Sequence, residues 1–550
     1  MTYHALLALA PALLGAAWPI GASSDKRHFV DATGAPWLMV CDASHHLISD
    51  LPAASIPTYL ANRVTHGFNA TNAYAMCSGA SNCPASGAAA DGTLPFTTGT
   101  GPASYDLSTP NPAFWSQVDS FISQAASAGL VVMLNPMPWG AGFSSTYQNN
   151  GPTKVFNFGA FLGNRYKGSP NIIWHLGQDF AGSSFPSASQ VNLIAQLMAW
   201  ISSADPAHLQ TTQLNYLRSY STQANATSST FAANLSTNFV YTYYETYDEV
   251  LAAWQATPAW PIFMGEANYE TANNTGQLPG GATAQVLRRE MWWTMTSGGA
   301  GHEWGNEHVS HFDSSWQSNL DTPATSEVAH LTALFSQHAW WKLVPETSHH
   351  VVTAGYGSYN ANNENLTTST YATTSWVPDG SLAIVYAPVS TTLTVDLAAF
   401  AGPVSAAWFD PTTGSSTAVS GSPFANSGSN GFATPGAAHG DGTHDWVLVL
   451  STGAGTPPDA GASSDAGAPP DAGGCVACDA GVPDAGQGHD AGGAPPDAGS
   501  VPDAGSASAD GGCCSSGPPA GCGCDVIGLG LVLFVVCLFV LVLRILLFVD

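Results

Sequence analysis

Two apolar runs in this sequence stop on a carboxyl group: "NIIWHLGQD" ends at Asp179 and "PIFMGE" ends at Glu266. A strand that ends this way delivers the acid to a working position or uses it to fix the next loop. Two carboxyls held about 5 to 5.5 Å apart suit double displacement at a glycosidic carbon, one attacking as an anion and the other, with a raised pKa, moving the proton. Asp42 and Glu245 also end apolar runs, in "PWLMVCD" and "FVYTYYE", and Glu245 is the alternative partner for Asp179. Each acid has a plainer reading: Asp179 as an N-cap or loop anchor, Glu266 paired with Arg288 or Arg289, Asp42 in an internal hydrogen bond.

Other polar and aromatic residues cluster at the ends of such runs, where a sugar would meet them: Asp42, His45, Asn72, Tyr74, Asn135, Trp139, Gln178, Asn215, Tyr243, Glu245, His302 and Trp304. Trp174, Phe180, Tyr243, Tyr244 and Trp304 are candidates for the apolar walls that would keep an acid protonated. "HEWGNEH" sets its histidines six apart, not at the HExxH zinc spacing, and there is no GxSxG elbow. No metal or cofactor is expected.

These residues need a frame to bring them together. Eight short apolar or β-branched runs ending in polar residues ("PWLMVCDASHH", "FNATNAY", "LVVMLNPMPW", "NIIWHLGQD", "LQTTQLNY", "FVYTYYE", "PIFMGE", "GGAGHEWGN") alternate with helical patterns. Asn111 and Pro112 open one helix, and Ser187 with Gln190 forms a capping box before another. That alternation predicts a (β/α)8 barrel over residues 25–345, whose strand C-termini ring the site. A doubly wound open sheet is disfavoured because no Gly-rich phosphate loop follows the first strand. From residue 346 to 452 the helical period gives way to alternation, as in "SLAIVYAP" and "TLTVDLAAF", and an antiparallel β-sandwich of seven or eight strands is expected.

The 550 residues carry 11 Lys plus Arg against 38 Asp plus Glu, a formal charge of −27, which repels phosphate backbones and excludes nucleic acid as a partner. Residues 1–24 read as an export leader, although no Lys or Arg precedes the apolar stretch. In an exported chain Cys77 and Cys83 are expected to form a disulfide, and Cys41, inside "PWLMVC", to be a buried core residue. Residues 453–525 are repeats such as "PPDAG" and "VPDAG", a disordered stalk by composition. Its roughly 70 residues would span about 45 Å as a flexible coil. Residues 526–549 open with 18 consecutive apolar residues, about 27 Å as a helix, and are expected to anchor the chain in a membrane.

The quoted motifs, together with "HFVDATGAPWLMVCDASHHL" and "FSQHAWWKLVPE", resemble the apiosidase-like glycoside hydrolases over residues 27–450. The segment after the barrel is similar to the β-domain that follows it in that family, labelled collagen-binding. The "CC" and "CGC" pairs ahead of the apolar C-terminus resemble a bacterial cysteine and transmembrane sorting tail. The family resemblance implies a (β/α)8 barrel, a retaining mechanism, Asp179 as acid/base and Glu266 as nucleophile. Gln178 departs from it, standing where the family usually has Gly. The expectation is therefore an exported, surface-tethered glycosidase acting on plant or microbial polysaccharide or oligosaccharide. Its rival is a surface adhesin that binds glycan or matrix without cleaving it; a carboxyl separation far above about 6 Å, or Glu266 locked to Arg288 or Arg289, would favour the adhesin or an inverting enzyme.

Overall fold

The computed structural model describes residues 17–79, 82–180, 188–215, 218–360 and 366–453. The leader up to residue 16, the cap residue Ser187, the stalk from residue 454 and the apolar C-terminus lie outside the described residues. Among the described residues, no helix is long and apolar enough to cross a membrane.

Eight parallel strands form the barrel wall: β1 (Met39–Ala43), β2 (Ala70–Tyr74), β3 (Val131–Asn135), β4 (Ile172–Gly177), β5 (Gln210–Gln213), β6 (Asn238–Tyr241), β7 (Ile262–Glu266) and β8 (Gly301–Trp304). They pair in the order β5-β4-β3-β2-β1-β8-β7-β6, and a two-residue antiparallel strand, Ser219–Tyr220, extends the sheet beside β6. The β5/β6 seam is closed by side chains in place of a strand ladder. Ser221 Oγ donates to the Thr212 carbonyl (2.7 Å) and accepts from the Phe239 N–H (2.9 Å), while Thr211 Oγ1 donates to the Thr237 carbonyl (3.1 Å). The sheet is thus a nearly closed barrel.

Helices α1 (Ile56–Thr65), α2 (Pro112–Ser127), α3 (Ser144–Tyr166), α4 (Ala188–Ala204), α5 (Ser229–Asn234), α6 (Thr246–Gln255), α7 (Ala284–Met295) and α8 (Pro323–Ser336) surround it. Asn111 caps α2 by accepting from the Ala113 N–H, with Pro112 in the first turn. The folded chain begins before the leader boundary drawn after residue 24. Gly21–Ala22 pairs antiparallel with Phe29–Val30, Ile20 is 2 % exposed, and the Ala17 carbonyl accepts from the Ala32 N–H.

The C-terminal region holds two antiparallel sheets, one of six strands and one of three. The strand Leu382–Ala387 is buried along its whole length. Ala383, Val385 and Ala387 face the three-stranded sheet with Val395 and Phe432, whereas Leu382, Ile384 and Tyr386 join a core with Trp292, Trp293 and Phe335 of α7 and α8. A strand covered on both faces needs apolar residues at every position, which is why "LAIVYA" does not alternate.

That docking explains two buried cations. On α7, Arg288 pairs with Asp445 (2.8 Å), Glu327 (2.8 Å) and Asp441 (3.0 Å), and Arg289 donates to the carbonyls of Leu366 (2.7 Å) and Pro388 (2.6 Å). Both arginines are spent on the C-terminal sheets, so neither is the partner of Glu266.

Candidate active site

Asp179 stands just beyond the C-terminal end of β4 and Glu266 is the last residue of β7. The backbone that carries Asp179 is unusual. Gly177, Gln178 and Asp179 have φ of 83°, 80° and 46° in succession, a left-handed path that side chains disfavour and that marks functional turns. The turn leans on Gly140, whose N–H donates to the Gln178 carbonyl (2.9 Å). A Cβ on Gly140 would lie 2.7 Å from Asp179 Cβ, so glycine is required for the close approach. Glu266 is placed by a register shift of β6 against β7 beside Gly265, where a Cβ would strike the Phe239 ring at 2.5 Å.

Glu266 is 7 % exposed and accepts from Gln213 Nε2 (2.6 Å) and the Tyr243 hydroxyl (2.7 Å), which is itself 3.0 Å from the Tyr241 hydroxyl. Asp179 accepts from Gln178 Nε2 (2.7 Å). Desolvation pushes both carboxyls above their ordinary range, and the charge of Asp179 pushes Glu266 further. Two such acids hold one proton between them around neutrality. Burial and the charge of Asp179 raise Glu266 to about 8 and burial raises Asp179 to about 6, while hydrogen bonds from Gln213, Tyr243 and Tyr241 pull Glu266 down and one from Tyr241 pulls Asp179 down.

A third carboxyl, Glu303 on β8, lies in the same interior. Asn72 Nδ2 donates to both its oxygens (3.2 and 3.0 Å), His45 Nε2 is 3.4 Å away, and His175 Nδ1 is 3.0 Å from Asn72 Oδ1. Burial, followed by the charge of Glu266, raises Glu303 well above its usual range. Burial also keeps both imidazoles neutral, lowering His45 well below its usual range and His175 to about 3. The His45 ring stacks on Tyr74 at 4.4 Å.

The sequence profile described as "Apiosidase-like, catalytic domain" matches residues 23–342. The chain belongs to the apiosidase-like family. A second profile, described as "Putative collagen-binding domain of a collagenase", matches residues 360–451 of this apiosidase-like chain. A search of curated proteins finds no match. Among solved structures, the fold is similar to a glycoside hydrolase family 5 protein from Bacteroides vulgatus ATCC 8482 (TM-score 0.65, 19% identity, 78% of this chain and 93% of that one). It is also similar to a protein titled glycoside hydrolase (TM-score 0.64, 18% identity, 78% and 96%).

In this apiosidase-like barrel, His45, Asn72, Tyr74, Gln178 and Tyr243 share the interior with the two strand-end acids or bond to them. Asn135 ends β3 opposite Tyr74, its Oδ1 accepting from the Met137 N–H (3.2 Å). Trp139 packs on Tyr147 at 5.4 Å and on Phe180 at 6.5 Å, next to Gly140. Asn215 lies two residues past Gln213, half-buried, its carbonyl accepting from Ser219 Oγ (2.7 Å).

Four expected positions lie elsewhere. Asp42 turns outward under α1, taking hydrogen bonds from the Tyr59 hydroxyl and from Arg63 (3.4 Å). Trp304 packs outside the wall on Phe68, at 5.9 Å, and His302 lies at 0 % exposure against Asn268, Leu287 and Glu290. Glu245 precedes α6, where Arg218, Asp248 and Arg289 are its charged neighbours, so it is not a partner for Asp179. Two expected wall residues also face away from the interior. Trp174 donates to Asp205 (2.8 Å) behind β4, and Tyr244 lies under Arg218.

On β8 the miss is one of parity: Glu303 pairs with Cys41 across β8 and β1 and faces inward, while His302 and Trp304 on either side of it face outward. Gln213 and Tyr241 share the parity of Asn215 and Tyr243, so stepping two residues back from those into their strands finds them. His175 neighbours the outward-facing Trp174 on β4.

Proposed function

We propose that this chain hydrolyses glycosidic bonds with retention of configuration, with Asp179 as acid/base and Glu266 as nucleophile. The supporting observation is a pair of coupled, buried acids at the ends of β4 and β7, both raised above the ordinary carboxylate range. Glu266 accepts from Gln213 and Tyr243 and is free of Arg288 and Arg289, and Asp179 sits on a left-handed turn.

In the first step the Glu266 carboxylate forms a bond to the anomeric carbon as the glycosidic C–O bond breaks, and Asp179 gives its proton to the leaving oxygen. In the second, Asp179 takes a proton from water, whose oxygen displaces Glu266 from the anomeric carbon. Both residues return to their starting states. The membership of the apiosidase-like family and the titles of the similar structures agree with this chemistry. One of the two conditions that would favour the adhesin reading, a Glu266 consumed by an ion pair with Arg288 or Arg289, is not met.

We place the enzyme outside the cell, tethered by its C-terminal apolar segment, on the leader and tail composition. Deleting residues 526–550 is expected to release active protein into the medium; retention on cells refutes the tether. The main test is sugar release from a panel of plant and microbial glycans by the wild type, Asp179→Ala and Glu266→Ala. Loss of release in both variants, with retained anomeric configuration by NMR in the wild type, is expected. A variant that stays active removes that residue from its role.

A further inference from the structure

Four ligating side chains meet beyond the ends of β1 and β2, outside the hydrogen bonds that hold Asp179 and Glu266. His46 and Asp50 stand four residues apart across the single helical turn Leu47–Asp50, with His46 Nδ1 3.1 Å from Asp50 Oδ2. Helices that bind metal space paired ligands this way, because side chains at i and i+4 share one face. The loop after β2 brings Cys77 and Cys83 against them, joined as a disulfide. With one ligating atom taken from each residue, all four lie within 4.8 Å of one another. His46, Cys77 and Cys83 are buried and Asp50 is half-buried.

As a disulfide, the cysteine pair serves His46 poorly. Cys83 Sγ lies 3.5 Å from His46 Nδ1 and 3.3 Å from Nε2, and Nε2 has no other hydrogen-bonding partner among the described residues. A disulfide sulfur has no hydrogen to donate and accepts weakly. Two thiolates, an imidazole nitrogen and a carboxylate oxygen are instead ligands that zinc takes in fours, at tetrahedral corners about 3.3 to 3.8 Å apart. Side-chain rotations bring these four atoms to that spacing once the S–S bond is open. His311 packs on the His46 ring at 4.6 Å and is itself held by Glu307 (3.4 Å), which supports the imidazole from behind.

We propose that Cys77, Cys83, His46 and Asp50 bind zinc when the disulfide is reduced, so that the loop after β2 is clamped by an S–S bond in oxidising surroundings and by the metal in reducing ones. A dithiol reductant supplies two electrons and two protons: the S–S bond breaks, two thiols form, and the reductant closes its own disulfide. Zinc then displaces the two thiol protons and takes the imidazole and carboxylate as its remaining ligands. All four positions are filled by protein, so the metal is a clamp and takes no part in hydrolysis. The clamped loop matters to the acid/base side of the pocket. The Ser78 N–H donates to the Ala141 carbonyl (2.9 Å), beside the Gly140 on which the Asp179 turn rests.

The test uses the full chain with every cysteine from Cys475 onward changed to serine, since those thiols would take metal themselves. It is reduced with dithiothreitol, freed of reductant without air, and titrated with Co2+ and then Zn2+. One equivalent of cobalt is expected to give tetrahedral visible bands and a thiolate charge-transfer band, both erased by zinc, while the oxidised protein gives neither. Zinc is expected to raise Tm of the reduced protein only. Loss of a ligand costs at least what loss of its outer support does, about 10- to 100-fold. His46→Ala and Asp50→Asn, which keep both cysteines and the disulfide, are therefore each expected to weaken zinc at least about tenfold. A reduced protein that stays folded without the charge-transfer band overturns the inference, as does one that unfolds and is not restored by zinc. Undiminished zinc binding in either variant, or bands that persist in Cys77→Ser, overturns the four-ligand site. None of these outcomes touches the hydrolase reading, on which this inference does not depend.

Discussion

The chemistry proposed for the Asp179 and Glu266 pair depends on hydrogen bonds from neighbouring side chains. The Tyr243 hydroxyl lowers the pKa of Glu266 against the burial that raises it. Tyr243→Phe is therefore expected to move the acid limb of the kcat/KM profile upward by about one pH unit, because the nucleophile now holds its proton to higher pH. The wild-type profile should be bell-shaped, with both limbs above the ordinary carboxylate range. Gln178 offers a second test. At φ 80° it occupies a conformation that suits glycine, the residue its family usually places there. Gln178→Gly is expected to relieve on the order of 1 kcal/mol of strain and raise Tm, yet lower kcat because the hydrogen bond to Asp179 is lost.

At the scale of elements, the site is assembled by contacts between loops that are far apart in sequence. Gly140, in the loop between β3 and α3, is the surface on which the Asp179 turn rests. Gly140→Ala would displace that turn, and a shift of about 1 Å in a catalytic group lowers rates on the order of 100-fold. The expected result is a kcat decrease of that size with little change in thermal unfolding. Helix α7 is the corresponding joint to the C-terminal sheets. Removing Arg288 leaves Asp445, at 0 % exposure, without its counter-ion. Arg288→Ala is expected to lower stability by about 3 kcal/mol or more in denaturant titration. The two sheets and the barrel should then lose their shared unfolding transition.

Across the whole molecule, buried acids set how stability depends on pH. Glu290 is raised to about 8, and Glu245 and Glu249 to about 7, chiefly by burial. Well above pH 6.5 the buried His175 and His302 are neutral in the folded and the unfolded chain alike. These glutamates then keep protons in the folded state that the unfolded state has released, so stability falls as pH rises through this window. Tm is expected to be lower at pH 8.5 than at pH 6.5; a flat or rising Tm would refute the buried-acid account. Below pH 6.5 the buried histidines oppose this trend, because the unfolded chain binds protons that His175 and His302, lowered to about 3 and about 4, do not.

The order of strands and helices, the strand-end positions of Asp179 and Glu266, the Cys77–Cys83 disulfide and the burial of Cys41 were legible in the sequence. They are local properties: hydrophobic period, turn chemistry and loop length act over a few residues. The facing of Glu303 against His302 and Trp304 was not legible, because a four-residue strand buried on both faces, with a polar residue on each, has no apolar-polar alternation to show which way it points. Nor was the fate of Arg288 and Arg289, whose partners lie up to 157 residues away. Tertiary packing decided both, since only the closed wall and the docked sheet determine which side of a uniformly buried strand or helix meets the site.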